Sequence, residues 1–303
     1  FNLIIDDLVF EDGRVMPGLL GGGGPQTAFG MRLWNSRVGL FASVSHDLPA
    51  EYIDWLDQAG IDHKGLLYRG AHSLRAWQHV NERGKRVQEW QTDQAEIALH
   101  FNRSVELLPT AFRRAAGFHL GIHAEDPDWR FINGLKGLGG YLSLETFRPV
   151  SQPLPVNSLQ KILAAADIFS CNLYEGRSLT GLVKPIAIIQ YLMDNGAAVV
   201  TLRLGEYGSI AAEAGSGEAW LVPAVPVTVV DAVGAGNAYC GGFLAAYQHN
   251  FDLVNCAACG AASASFMIEQ WGMPDWRDEL PQIAYERLAA VKTKAKAISL
   301  PGG

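Results

Sequence analysis

The residues best suited to chemistry lie late in the chain, in VVDAVGAGNAYCGG, Val229 to Gly242. Gly234 and Gly236 permit a turn whose N–H groups point one way, just before a small-residue helix that opens near Tyr239. Aligned amides at a helix N-terminus stabilise negative charge, so such a turn suits a phosphate. The same glycines serve equally well in a tight strand-to-helix turn that needs only close packing. The last polar residue of the turn is Asn237, a carboxamide. An amide can orient a hydroxyl but has no useful basicity near neutral pH.

Two other stretches carry polar groups at suggestive places. In LLGGGGPQTAFG, Leu19 to Gly30, four glycines precede a helix opened by Thr27. They allow a ligand to approach the backbone closely, or simply make a flexible loop. In SCNLYEG, Ser170 to Gly176, Asn172 and Glu175 stand three apart at a strand's end. An amide and a carboxylate so placed can hold a hydrated Mg²⁺. They can equally form a helix cap, with Asn172 at the N-cap and Glu175 at the third position. No G-x-x-x-x-G-K-[ST] loop occurs, and Gly234-x-Gly236-x-x-Tyr239 lacks the third glycine of a dinucleotide fingerprint. His119 and His123 lie on a strand running into a loop, where their spacing does not favour convergence on a metal. Cys256 and Cys259 form a C-x-x-C inside an Ala-rich helix and read as core packing.

The elements that must position these groups alternate along the chain. NLII, Asn2 to Ile5, reads as a strand running into Asp6 and Asp7. RVGLFASV, GFHLGI, GGYLSLE, DIFSCN, GAAVVTLRL and GSIAAEA read as further strands, and AWLVPAVPVTVVD as two more. PAEYIDWLDQAG is a helix ending at Gly60, and two long Ala-rich helices lie near 238–249 and 253–268. Strand–helix alternation predicts an α/β fold with a parallel sheet covered on both faces. Segments near 8–20 and 66–90 break the rhythm and read as hairpins, decorating a sheet edge or forming a small lid. Tyr68, Trp77 and Trp90 in the second segment could stack on a ligand ring or pack across strands. The whole of 1–303 is expected to be one domain with this lid.

Composition excludes some classes. The 303 residues are 49% apolar and 18% charged, with 33 glycines, which suits a globular enzyme with tight loops. A formal charge of −7 argues against nucleic acid as a partner. The longest basic cluster, Arg83 to Arg86, reads as a hairpin turn at Gly84 flanked by solvated charges. No apolar run is long enough for a membrane span, and the four dispersed cysteines fit a reducing cytoplasm. The chain opens on Phe1, which leaves room for residues upstream.

Taken together and in this order, the motifs resemble the ribokinase-like (PfkB) carbohydrate kinase family, over nearly the whole chain. LGGGGPQTAFGMRLW is similar to the family's first signature, CNLYE to its Asn-x-x-Glu motif, and VVTLRLGEYGS to its nucleotide-side strand and loop. VPAVPVTVVDAVGAGNAYCGGF is similar to its second signature, normally Asp-Thr-x-Gly-Ala-Gly-Asp. The resemblance implies a three-layer α/β/α fold with a mostly parallel central sheet and a small β lid. It implies transfer of a phosphoryl group from ATP, with Mg²⁺ and a monovalent cation such as K⁺, to a sugar-like or nucleoside-like hydroxyl, and a possible homodimer through the lid edges. Asp6, or failing it Asp7, would bind acceptor hydroxyls, with Gly22, Gly23 and Gln26 completing that pocket. Asn172 and Glu175 would organise Mg²⁺ through water, and Arg203, Gly205 and Gly208 would lie near the nucleotide. Gly234, Ala235 and Gly236 would form the anion hole, Asp231 a cation-adjacent position, and Asn237 the seat of the general base.

Three departures from the family pattern stand out: Gln26 for asparagine, Ala232 for threonine, and Asn237 for the catalytic aspartate. A base contributes about 10²–10⁴-fold, whereas phosphoryl transfer rests mainly on positioning and electrostatics. Two expectations follow: an attenuated kinase, or a non-catalytic relative that binds nucleotide or metabolite as a regulatory or scaffold protein.

Overall fold

The alternation read from the sequence folds as an α/β architecture in the computed structural model, which describes residues 2–81 and 86–300. A hairpin of β1 (Ile4–Phe10) and β2 (Val15–Gly21) leads into α1 (Gly23–Arg32), β3 (Val38–Val44), α2 (Ala50–Gln58) and β4 (Ile61–Tyr68). A second hairpin, β5 (Arg75–Val80) and β6 (Arg86–Trp90), is followed by α3 (Gln94–Phe101) and β7 (Gly117–Ile122). Next come α4 (Trp129–Lys136), β8 (Tyr141–Thr146), α5 (Val156–Ala165), β9 (Ile168–Asn172), α6 (Leu173–Thr180), α7 (Pro185–Asp194) and β10 (Val199–Arg203). β11 (Ser209–Glu213), β12 (Glu218–Val222), α8 (Ala235–Tyr247), α9 (Leu253–Met267), α10 (Leu280–Lys292) and β13 (Lys296–Ser299) complete the order.

The large sheet runs β13-β12-β11-β10-β9-β8-β7. Strands β7 to β10 are parallel, and β11, β12 and β13 extend the sheet antiparallel. Successive residues of a strand face opposite sides, and here both sides are apolar. Val200 and Leu202 of β10 join a core built with α4, α5, α6 and α7, whereas Val199 joins one built with α8, α9 and α10. Helices therefore cover both faces. Cys256 and Cys259 lie fully buried in the second of these cores.

The two hairpin segments that broke the sequence rhythm come together as one four-stranded sheet, β2-β1-β5-β6, through a parallel β1–β5 pairing. Tyr68 stands outside it, on β4, which pairs with β3. The Gly84 turn lies outside the described residues. Val15, Trp77 and Val87 leave this sheet with 55%, 40% and 62% of their surface exposed, on the side that also carries the Arg75–Asp7 and His79–Glu89 pairs.

Several boundaries differ from expectation. Asp6 and Asp7 lie within β1, whose pairing with β2 and β5 carries the strand past them to Phe10. Helix α1 starts at Gly23, four residues before Thr27, so part of the glycine run is helical. The run before the phosphate-type turn is not a strand. Pro223 and Pro226 offer no N–H to a ladder, and Val229 and Val230 are 60% and 41% exposed. Val230 and Asp231 instead donate their N–H groups to the carbonyl of Ile268, just past α9.

Candidate active site

The turn is built by backbone conformation. Gly234, at φ 82, forms the N-cap of α8 without any side-chain cap. The amides of Ala235, Gly236 and Asn237 therefore start a helix with no intrahelical acceptor, the arrangement that gathers around an anion. Asp231 steadies the approach by accepting the Val233 N–H at 3.1 Å.

Helix α1 brings the acceptor side to this turn. Gly30 packs so tightly on α8 that a Cβ would stand 2.1 Å from the Ala238 carbonyl oxygen, and one on Gly241 would stand 2.1 Å from that of Thr27. This crossing places Gln26, buried at 6% exposure, beside Asn237. Asn237 Nδ2 donates to Gln26 Oε1 at 2.6 Å. Two of the three departures from the family pattern are thus direct partners: the longer amide reaches the shorter one. A Cβ on Gly234 would meet Gln26 Cδ at 2.6 Å, so the turn and Gln26 are fitted to each other.

Asp6, Gly21, Gln26, Arg86, Asp231 and Val233 meet around a cavity of about 10 Å³, space for about one water molecule. Burial raises the Asp6 carboxyl to about 6, against the opposing influence of Gln78 and Arg86. Gln78 Nε2 donates to Asp6 Oδ1 at 2.9 Å. Asp7 points the other way. Arg75 donates to both its oxygens, at 2.7 and 2.8 Å, and Gln91 and the Gly18 N–H add two more bonds. These bonds outweigh its burial and lower its pKa. Asp7 thus ties the hairpin sheet together while Asp6 faces the cavity. Trp77, opposite Asp7, shares the outer side; Trp90 and Ala76 share the side of Asp6.

Glycine roles were only partly legible. Gly22, at φ 86, is required by the Asn2 carbonyl, 2.2 Å from its absent Cβ, and Gly23 opens α1. The glycine that serves the cavity is Gly21, where a Cβ would stand 1.9 Å from Asp6 Oδ2. The run of four glycines was the signal; which member mattered was not readable from it.

Arg86 corrects the sequence reading. It was expected among solvated hairpin charges, yet its side chain is 10% exposed and its guanidinium pairs with Asp231 Oδ2. It also lies 5.5 Å from the Trp271 ring. Burial lowers the Arg86 pKa and raises that of Asp231, while the attraction between them opposes both shifts. The cation beside Asp231 is therefore a side chain from β6.

Asn172 and Glu175, expected on the nucleotide side, form a complete capping box. Glu175 N–H donates to Asn172 Oδ1 at 2.9 Å, and Asn172 N–H to Glu175 Oε2 at 2.7 Å. Asn172 Nδ2 donates to Glu175 Oε1 at 2.6 Å, and Thr146 adds a bond to Oε2 at 3.2 Å. Arg203 does not face open space. Its Nη1 lies 2.7 Å from Glu145 Oε2 and its Nη2 3.5 Å from Glu175 Oε2. Burial disfavours its charge, but Cys240, Glu145 and Glu175 outweigh that and raise its pKa. Glu145 falls to about 2, because Arg203, His119 and Cys240 overcome its burial, whereas burial leaves Glu175 raised. A Cβ on Gly236 would stand 2.1 Å from Arg203 Nη1, so the guanidinium packs directly beneath the anion turn. Glu145 was missed because a lone carboxylate ending an apolar strand carries no motif. Gly205, at φ 62, and Gly208, at φ 91, shape the turn after β10; Gly208 also passes close to the Val222 carbonyl. His123 points elsewhere, to Arg148.

Fit to metal ions follows from these contacts. Glu175 is 4% exposed, with both oxygens engaged by Asn172 and one also by Thr146 and Arg203. A hydrated Mg²⁺ needs accessible oxygen ligands, and this pair does not offer them. Asp231, engaged by Arg86, does not fit a monovalent cation either.

The layers, the parallel half-sheet and the glycine turn that opens α8 are the features against which known proteins compare. The profile of the pfkB family carbohydrate kinases matches residues 19–275, and the chain belongs to that family. A cytidine kinase of Thermococcus kodakarensis is 25% identical over 91% of this chain and 96% of its own. A protein described as a ribokinase II from Escherichia coli, solved with ATP and Mg²⁺, superposes with a TM-score of 0.75 at 16% identity, over 94% of this chain and 97% of that one. A Vibrio cholerae fructokinase variant, solved with fructose, ADP and potassium, gives 0.74 at 18% identity, over 95% and 96%. The fold is ribokinase-like. Among the described residues no helix is long and apolar enough to cross a membrane.

Proposed function

We propose that this protein transfers the terminal phosphoryl group of ATP to a hydroxyl of a sugar-like or nucleoside-like acceptor, at a rate limited by Asn237. The observation that carries this reading is the convergence of Asp6, Gln26 and Asp231, drawn from distant parts of the chain, on one cavity, with Gln26 joining it to Asn237 of the glycine turn. Asp6 would accept from acceptor hydroxyls, the amides of 235–237 would stabilise charge on the transferring group, and Asn237 would orient the attacking hydroxyl. Mg²⁺ belongs to the donor as the counter-ion of its phosphates. The hairpin sheet contributes Asp6, Gln78 and Arg86 and would close over the acceptor and exclude water. A homodimer, if formed, would use the exposed face bearing Val15, Trp77 and Val87.

The second reading, a non-catalytic binding protein, is favoured by the Asn237–Gln26 bond, which holds an uncharged group at the base position. A transfer assay with ATP and a panel of sugars and nucleosides separates the two. Phosphorylated product from wild-type protein supports the kinase. Calorimetric binding of nucleotide or acceptor without transfer, even after Asn237→Asp, supports the binding protein.

A further inference from the structure

Both places where cations are expected beside the phosphate turn hold guanidinium groups of the chain itself. Arg203 lies between Glu145 and Glu175, directly under Gly236, and Arg86 lies against Asp231 at the turn's entry. We propose that these arginines replace protein-held metal ions, so that anion binding at the 234–237 turn requires neither a Mg²⁺ organised by Asn172 and Glu175 nor a monovalent cation beside Asp231. The inference rests on the nucleotide-binding part of the proposed function and departs from its metal requirement.

The chemistry is that of charge balance in a confined space. Glu145 and Glu175 are 2% and 4% exposed, and both pair with the guanidinium that packs beneath Gly236. Two unpaired carboxylates there would repel the ligand, and their burial without a partner is unfavourable. A cation must stand between them, and the Arg203 fork does, reaching one oxygen of each. Gly236 is what admits it so close, since any Cβ would strike Nη1. The remaining oxygen of Glu145 accepts from His119, at 3.2 Å, so both of its oxygens are engaged by side chains of the protein. Arg203 is a positioning residue here: packed beneath Gly236, it offsets part of the carboxylate charge under the turn.

The test compares ADP affinity of the wild-type protein in EDTA with choline as the only small cation, and in Mg²⁺ with K⁺. The expected dissociation constants agree within about threefold. Arg203→Ala vacates the space between the glutamates, so ADP binding should weaken about tenfold or more in EDTA and recover when Mg²⁺ fills the vacated site. Mg²⁺ alone should then raise the melting temperature of this variant and leave that of wild type unmoved. Arg203→Lys should retain metal-independent binding, which a merely structural role for the side chain would not require. A wild-type affinity that collapses in EDTA or choline overturns the inference and leaves the nucleotide reading standing. So does an Arg203→Ala variant that binds ADP as wild type does. No ADP binding under any condition overturns both. Should Arg203→Ala not fold, the wild-type comparison alone decides.

Discussion

Asn237→Asp is the sharpest perturbation available. The new carboxylate would sit in the first turn of α8, where Asn237 now donates to Gln26 Oε1 at 2.6 Å. Rotating the Gln26 amide turns its NH₂ toward the new oxygen, so the contact becomes a charge-assisted bond. A negative charge at a helix N-terminus is favourable by about 0.3–1 kcal/mol, which keeps it ionised at neutral pH and folding little changed. A positioned base should raise turnover about 10²–10⁴-fold, or about 2.7–5.4 kcal/mol of barrier. Adding Gln26→Leu removes the orienting partner. Hydrogen bonds to charged groups are worth about 1.5–3 kcal/mol, so the double variant should forfeit about ten- to a hundredfold of the gain. The assay is product formation from ATP and the acceptor found by panel screening, with melting curves as the control. Unchanged turnover in a folded Asn237→Asp protein refutes the assignment of the base position and points to Asp6 or Asp231, the carboxylates at the cavity.

The pH dependence of stability should report Asp6. Its carboxyl is raised to about 6 in the fold, so its contribution is full below about pH 3.8 and lost as pH rises through 6, about 3 kcal/mol in all. Asp6→Asn should remove this slope in urea titrations at successive pH values and raise stability at pH 8, while abolishing acceptor binding. Arg86→Met strands a buried Asp231 and should cost about 3–5 kcal/mol; adding Asp231→Asn should recover part of that loss in a double-mutant cycle. Gly234→Ala forces a left-handed φ of 82 on a side chain and drives Cβ into Gln26, so loss of about 1–2 kcal/mol from the backbone should accompany weakened anion binding by calorimetry. Glu175→Ala breaks the capping box and should cost about 0.5–2 kcal/mol in thermal unfolding.

Patterns that repeat along the chain were readable without coordinates. The apolar run of β10 and the small-residue helix α8 show in the sequence because burial imposes them locally. So do the glycines at 234 and 236, since a left-handed φ and a close approach each demand a missing Cβ. Groups paired across distant segments were not readable. Gln26 and Asn237 each looked like an isolated departure, and only the α1–α8 crossing makes them partners. Arg86 looked solvated because an exposed hairpin charge and a buried ion-pair partner are the same letter. Glu145 carried no motif, Gly21 could not be told from its three glycine neighbours, and Asp6 could not be told from Asp7 until strand parity turned one to the cavity and the other to Arg75. The sequence by itself determined the strand–helix alternation and the glycine turn that opens α8. Only the tertiary structure decided which charges meet there, because electrostatic pairing acts over a few ångströms of space and is blind to separation along the chain.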